Sequence, residues 1–469
     1  MPDSLPWTRE RLMVTGGLML AMFVAAMDAT VVGTALPTIA RQLGQVELYP
    51  WIFAGYLLTS TTSVPLWGRM ADLRGRKPVL LAGLAAFVGG SLLCGASPNM
   101  PALIIFRALQ GIGAGCLQPV TLTVVGDIFP VAQRARLQGL FSAMWAIAAA
   151  IGPLIGGVFV VTIGWRWVFL INLPIGLVCA VLFLRYREQR EHGGRQRLDY
   201  LGAVILTGGV AVLLYGLGTG NPSGKATWPV AVVGGLLLVF YFVREFRTES
   251  PTIPVRLLGD ALIGPAIAIS MLAGTLMFGV NAYLPLYVQT GLGRTALEAG
   301  WSVAPLSVGW PIASVVGGRL LLRVGYRAVV AAGALLLFAG AVLLLLIASE
   351  GPVAVGAATL VIGMGLGGVL TPILIVVQNA VPWQRRGSIT ALNQFSRTIG
   401  GAIGVSLMGI LVEARLGQGP LVPGARVQAA IEPVFWSLVW LGAAVLAGAV
   451  GIIVVAARTR REEAREVAV

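Results

Sequence analysis

Apolar runs of roughly 20 residues recur from one end of this chain to the other. A run of that length crosses a bilayer only as a helix, because every backbone N–H and C=O must find its partner inside the segment. Fourteen candidate spans follow, at about 12–36, 50–68, 79–97, 101–126, 136–162, 167–184, 199–218, 228–246, 261–290, 296–320, 327–348, 352–378, 386–413 and 434–457. Of the 469 residues 57% are hydrophobic and 11% charged, so no soluble domain fits between the spans. The expected fold class is an all-α polytopic membrane protein with 14 transmembrane helices.

The formal charge of +14 would suggest nucleic acid in a soluble chain, but here the cations sit in short loops between spans and read as topology signals. Of the 33 Lys and Arg residues, 25 fall on the side of the termini, six in the opposite loops, and Arg107 and Arg397 within spans. Both termini are therefore expected in the cytoplasm. The excess of Arg over Lys suggests a GC-rich bacterial source, and with it a bacterial inner membrane is expected. Trp51, Trp165, Trp167, Trp228 and Trp301 fall at outer span edges, where an interfacial belt is expected. Cys94, Cys116 and Cys179 lie in apolar segments and read as reduced packing residues. His192 falls in a charged loop. The first span runs on through Asp28 and Pro37 without a cleavage site and reads as a retained helix. With no metal-ligand cluster and no nucleophile and base pair, neither cofactor, metal nor enzymatic activity is expected. The stretch Gly218-Thr219-Gly220-Asn221-Pro222-Ser223-Gly224-Lys225-Ala226 has the wrong glycine spacing for a phosphate loop, which disfavours ATP use.

An internal repeat organises the spans. Gly111-Ile112-Gly113-Ala114-Gly115 recurs as Gly363-Met364-Gly365-Leu366-Gly367, and the same offset of 252 carries Pro130 and Arg134 onto Pro382 and Arg386, and Asp127 onto Asn379. Gly68-Arg69 and Gly75 match Gly318-Arg319 and Gly325 at an offset of 250. Repeats running in the same direction imply two parallel six-helix halves with a site between them. The expected division is 1–198 and 257–469 for the halves, with two additional helices in 199–256.

Ionisable residues at membrane depth are the natural functional candidates, because an exposed charge there costs roughly 2.5–3.5 kcal/mol on insertion scales. Asp28 sits inside the first span. Counting 1.5 Å per residue, it lies about 12 Å below the outer boundary and Arg107 about 9 Å below it. Two helices facing one cavity would let Arg107 hold or release the Asp28 carboxylate, with Gln110 one turn further on. Arg397, about 16 Å into its helix with Asn393 one turn before it, has no acidic partner evident in the sequence; binding of backbone carbonyls and binding of an anionic group are both open. Tyr56, Gln118, Trp145, Asn281, Tyr283, Gln289 and Trp310 are polar or aromatic residues within spans. They could line a pocket for bulky lipophilic ligands or pack against neighbouring helices.

The segment Gly68-Arg69-Met70-Ala71-Asp72-Leu73-Arg74-Gly75-Arg76-Lys77-Pro78 reads as a loop between the second and third helices. Its glycines permit a tight turn, and Asp72 among cations can bind a helix N-terminus or an arginine as a conformational latch. Gly152, Pro153, Gly156 and Gly157 would bend the fifth helix and let backbones approach.

The same segment resembles the signature loop of the major facilitator superfamily. Ile105-Phe106-Arg107-Ala108-Leu109-Gln110-Gly111 is similar to that family's membrane arginine motif, and Ala150-Ile151-Gly152-Pro153-Leu154-Ile155-Gly156-Gly157 to the motif associated with antiporters. With Met27-Asp28-Ala29-Thr30-Val31-Val32 and Trp165-Arg166-Trp167 through Asn172-Leu173-Pro174, the whole chain resembles the fourteen-helix drug/proton antiporter branch. Gly33 and Leu73 depart from that branch, and Leu322 stands opposite Asp72 in the repeat, so any Asp latch serves one half only. The resemblance implies a proton-coupled exporter of lipophilic drugs or metabolites, cations included, working by alternating access with Asp28 and Arg107 as the coupling pair. Its partners would be a small lipophilic substrate, protons and membrane lipids, with no nucleic acid, and it would act as a monomer. Alternatives are an exporter of an endogenous lipid or secondary metabolite and, in a different class, a membrane channel.

Overall fold

The computed structural model describes residues 8–43, 48–184, 199–218, 227–248, 251, 253–416 and 424–466, and these contain helix but no strand. The helices are α1 (Arg9–Leu43), α2 (Tyr49–Arg74), α3 (Arg76–Gly95), α4 (Met100–Ile128), α5 (Val131–Thr162), α6 (Trp167–Leu170), α7 (Asn172–Leu184), α8 (Tyr200–Gly216), α9 (Trp228–Arg247), α10 (Ile263–Leu286), α11 (Ala296–Ile347), α12 (Pro352–Asn379), α13 (Arg386–Leu416) and α14 (Ala425–Glu466). Every expected span falls on helix, and eleven described helices are long and apolar enough to cross a membrane. The chain is a multi-pass membrane protein.

Local signals set the boundaries. Asn99 caps α4 by accepting from the Ala102 N–H at 2.9 Å, with Pro101 in the first turn where no N–H is needed. Thr295 and Glu298 form a reciprocal capping box on α11. That helix holds two expected spans, joined at Gly325, whose φ of 80° only glycine adopts readily. The expected span at 167–184 divides into α6 and α7, since Pro174 has no N–H to offer the carbonyl of Leu170.

Three expectations are corrected. The segment from Gly68 to Pro78 is not a loop: α2 runs on to Arg74 and α3 begins at Arg76, leaving Gly75 at φ 94° as the whole turn. Trp165 is not in an interfacial belt. It is 1% exposed, donates from Nε1 to Gln42 Oε1 at 2.8 Å and packs edge-on against Phe169 in the core of its unit. Gly157 is not a close-approach glycine, because a Cβ there would meet nothing within 4 Å; five residues beyond Gly152, it points to another face of α5. The three cysteines are free and buried, as expected. His192 and the stretch around Lys225 lie outside the described residues.

By packing, the chain divides into two compact units. Unit 1 comprises Met1–Pro130, Leu140–Val255 and Val381–Phe395; unit 2 comprises Val131–Gly139, Arg256–Ala380 and Ser396–Val469. In each, the repeated glycine triplet does the same job. In unit 1, a Cβ at Gly111 would lie 2.6 Å from Tyr56 O and one at Gly115 2.3 Å from Ser60 O, both on α2, whereas one at Gly113 would lie 2.2 Å from Phe87 N on α3. Alternate glycines thus let α4 sit against two backbones at once. In unit 2, Gly363 and Gly367 meet Leu306 O and Trp310 O at 2.2 and 2.4 Å, and Gly365 meets Leu337 N at 2.5 Å.

The repeat also explains the two short segments. Residues 131–139, grouped with unit 2, correspond at the 252-residue offset to 383–391, grouped with unit 1. Their arginines make equivalent contacts: Arg386 donates to Asp127 Oδ1 at 3.3 Å in unit 1, and Arg134 to Asn379 Oδ1 at 2.9 Å in unit 2.

Candidate functional site

In unit 1, α1 places Asp28 in the interior at 1% exposure, and α4 places Arg107 and Gln110 beside it, both fully buried. Arg107 Nη1 donates to Asp28 Oδ2 at 2.7 Å and to Gln110 Oε1 at 2.8 Å. Gln110 Nε2 donates to Asp28 Oδ1 at 2.9 Å, and the Arg107 guanidinium stands 4.0 Å over the Tyr56 ring. The equal depths counted along the two helices therefore correspond to a direct contact.

Two further residues complete the cluster. Asn172, at the start of α7, donates from Nδ2 to Asp28 Oδ1 and to Ser91 Oγ, both at 2.9 Å, and Gln110 Nε2 reaches the same Ser91 Oγ at 3.1 Å. Ser91 in turn donates to Phe169 O at 2.8 Å. Gly90 lets α3 come this close, since a Cβ there would lie 2.6 Å from Gln110 Cα. The carboxylate thus accepts from three side chains on two other helices, which compensates for its removal from water. Two amides among them can reverse orientation and accept, so the pocket is chemically able to hold a carboxylic acid as well as a carboxylate.

Gly152 on α5 abuts this region: its Cβ would lie 2.1 Å from Thr30 Oγ1, and Thr30 donates to Ala148 O at 3.0 Å. Gly156 is buried on the same helix. The side chain of Pro153 lies outside the described residues, and α5 is helical across it.

The candidate latch residues gather at one end of unit 1. Asp72 accepts from Gly387 N and Ser388 N, each at 2.7 Å, and from Ser388 Oγ at 2.6 Å, which makes it a cap on the first turn of α13. Gly68 admits that turn, because a Cβ there would lie 2.7 Å from Gly387 O. Arg76 joins Asp72 at 3.3 Å, Asp127 at 2.9 Å and the Trp383 carbonyl at 2.7 Å, and lies over the Trp383 ring. Helix N-terminus and arginine both serve the carboxylate. Burial pushes the Asp72 carboxyl up to about 6, against the opposing pull of Arg76 and the Ser388 and Gly387 donors. Arg74 is exposed. The side chain of Leu322 lies outside the described residues.

The remaining pocket candidates do not form one cluster with Asp28. In unit 1, Gln118 is half-buried on α4 and Trp145 exposed on α5, while Asn393 is buried beside Gln394 in the first three turns of α13. In unit 2, Tyr283 donates to Val405 O at 2.8 Å, joining α10 to α13, whereas the exposed Asn281 donates to Met277 O of its own helix at 2.8 Å. Gln289 is exposed in the π-turn after α10. Arg397 lies 5.8 Å from the Trp310 ring, and neither Arg397 Nε nor Trp310 Nε1 has a hydrogen-bond partner among the described residues.

Sequence reasoning missed Ser91, and quoted Asn172 only within a motif. The available signal was polarity: both are hydrogen-bonding residues inside apolar spans, at depths comparable with Asp28.

The Major Facilitator Superfamily profile matches residues 18–405. The chain is 35% identical over 413 residues to the multidrug transporter protein MdtP of Bacillus subtilis, covering 87% of this chain and 76% of that one. It is 31% identical over 403 residues to multidrug resistance protein 3 of the same organism, covering 84% and 78%. Its fold is similar to the crystal structure of the human organic anion transporter MFSD10, with a TM-score of 0.69 at 16% identity over 95% of this chain and 100% of that one, a likeness that concerns the fold alone. The chain belongs to the Major Facilitator Superfamily.

Proposed function

We propose that this protein is a proton-coupled exporter of small lipophilic compounds, drugs or endogenous metabolites, and that Asp28 is its coupling carboxylate. The observation that carries the reading is the fully buried cluster of Asp28, Arg107, Gln110, Asn172 and Ser91 inside spans of a chain whose relatives include multidrug transporters. Residues 1–198 and 257–469 are the two repeat halves and 199–256 the inserted pair. The protein resides in a bacterial inner membrane with both termini cytoplasmic and acts as a monomer.

Coupling follows from the carboxylate's hydrogen bonds. Ionised, Asp28 is matched to Arg107, and removing one member of such a buried pair costs roughly 3–5 kcal/mol. A proton arriving at Asp28 cancels the pair's attraction and leaves Arg107 to the Tyr56 face and the Gln110 carbonyl. Reversal of the Asn172 amide, whose Oδ1 has no partner among the described residues, then supplies an acceptor for the new O–H. Each protonation state has its own hydrogen-bond arrangement, and a difference of this kind is what lets proton binding bias one conformation over another. One charge moving through 100 mV supplies about 2.3 kcal/mol before any pH gradient is added.

The test is transport in proteoliposomes with an imposed pH gradient, using ethidium as a lipophilic cation and an uncharged dye beside it. Accumulation against the concentration gradient that collapses with a protonophore is expected. Movement that only equalises concentrations would assign a channel and overturn the reading.

A further inference from the structure

A guanidinium in the middle of a membrane span is costly and is retained beside acids, carbonyls or a ligand. Arg397 has none of the first two among the described residues. It forms no ion pair and no hydrogen bond there, its Nε is buried, and its one aromatic neighbour is the Trp310 ring at 5.8 Å from Cζ. Trp310 is a donor only, and its buried Nε1–H is likewise without an acceptor. Two adjacent, half-buried side chains therefore present buried N–H donors and no acceptor among the described residues.

The position is built rather than incidental. Gly274 of α10 presses on α13 at this residue: a Cβ there would lie 2.2 Å from Arg397 O and 2.8 Å from Arg397 Cγ. Gly400 and Gly404 continue the contact, meeting Met271 O at 2.6 Å and Thr275 Cγ2 at 2.2 Å. The backbone of α13 is thereby locked against α10, and the stem of Arg397 is confined along one wall. A long cation that could have snorkelled is instead held beside an indole at mid-span.

We infer that Arg397 and Trp310 form a recognition site for the acidic group of a transported lipophilic compound: a carboxylate, sulfonate or phosphate oxygen accepting from the guanidinium and the indole N–H. The inference rests on the reading of the chain as an exporter of small lipophilic compounds and adds acids and zwitterions, held at this position, to the compounds it takes. Like charge excludes a cationic centre from the same place. The planar guanidinium matches such oxygens better than an ammonium would, and the Trp310 ring offers an apolar face to the body of the ligand.

The test compares equilibrium binding of anthracene-9-carboxylate and uncharged anthracene-9-methanol to the full-length protein in phosphatidylcholine nanodiscs, with protein-free discs subtracted. Arg397→Gln is expected to weaken the carboxylate about tenfold or more and to leave the alcohol within about twofold, since a hydrogen bond to a charged group is lost for only one ligand. Trp310→Phe, which keeps the ring and removes the N–H, is expected to weaken the carboxylate about threefold to tenfold. Arg397→Lys should fall between wild type and Arg397→Gln. Equal losses for both ligands, or no loss of the carboxylate in either Arg397→Gln or Trp310→Phe, overturn the site. Discs containing phosphatidylglycerol identify a lipid occupant: if that lipid abolishes carboxylate binding in wild type, the substrate assignment falls. Because binding needs no gradient, the result is separable from the exporter reading. Arg397-dependent carboxylate binding without pH-driven export would sink only the exporter, and export of ethidium by a protein that binds no carboxylate would sink only this site.

Discussion

Arg107 in unit 1 and Arg397 in unit 2 are both arginines held at membrane depth beside an aromatic ring, and their surroundings differ in one decisive respect. Arg107 meets a carboxylate at 2.7 Å, an amide oxygen at 2.8 Å and the Tyr56 face, whereas Arg397, among the described residues, meets only the edge of the cation–π range at Trp310. A cation paired with a carboxylate inside its unit, even with its buried Nη2 lacking a hydrogen-bond partner among the described residues, changes partners when the cluster changes, and in the proposed mechanism the group that changes is Asp28, by taking a proton. A cation without a hydrogen-bond partner among the described residues is the one proposed to take its partner from a ligand. The first arrangement suits a switch and the second suits recognition. The repeat does not duplicate the switch, because the 252-residue offset carries Arg107 onto Thr359, a neutral residue that donates to Ser302 O at 2.7 Å.

The sharpest test of this contrast is Asp28→Asn, which should reduce pH-driven export of ethidium to the level of protein-free vesicles while the protein still inserts. Rates equal to wild type would remove Asp28 as the coupling group. Next is stability. Arg107→Ala strips a buried carboxylate of its partner and should lower unfolding free energy by roughly 3–5 kcal/mol. Arg397→Ala breaks no ion pair and should shift it by no more than about 1 kcal/mol. Equal drops in the detergent-solubilised melting temperature would erase the distinction between the two arginines.

Asn172→Ala deletes one of three donors to Asp28, a bond of the charged class worth roughly 1.5–3 kcal/mol, and should reduce pH-driven export about tenfold with less effect on dye binding. An unaltered rate would mean that Arg107 and Gln110 alone define the switch. The last test concerns Asp72, a buried carboxylate held by a helix N-terminus as well as by an arginine. Its carboxyl stands at about 6 when buried against an ordinary 3.8, so the buried form binds more protons than an exposed one. Contact with α13 is therefore expected to strengthen as pH falls through about 6, fully below the ordinary value, and to weaken above. Spin labels on the ends of α2 and α13 should report this pH dependence, and Asp72→Asn should abolish it while altering the equilibrium on the usual coupling scale of about 1–3 kcal/mol. A pH-independent distance in wild type would leave Asp72 as a plain helix cap.

Much of the fold was legible because the bilayer imposes simple arithmetic. Apolar runs of span length become helices whatever their neighbours, so each expected span falls on helix, and the glycine triplets mark where α4 and α12 touch two neighbours at once. Asp28, Arg107 and Gln110 were legible for the related reason that depth along a straight helix is proportional to residue number. Rotation about the helix axis was not. Whether Trp165 faces lipid or core, whether Gly157 meets a backbone, and that Asn172 and Ser91 close around Asp28 all depend on which way a face turns, and in a chain so uniformly apolar the sequence carries little moment to fix it. Composition and spacing determined that this protein is a bundle of membrane helices with charges at particular depths. Only the packing of those helices decided that Arg107 pairs with a carboxylate while Arg397 has no such partner among the described residues, because pairing needs two side chains within about 3 Å, a precision that residue spacing along separate helices cannot supply.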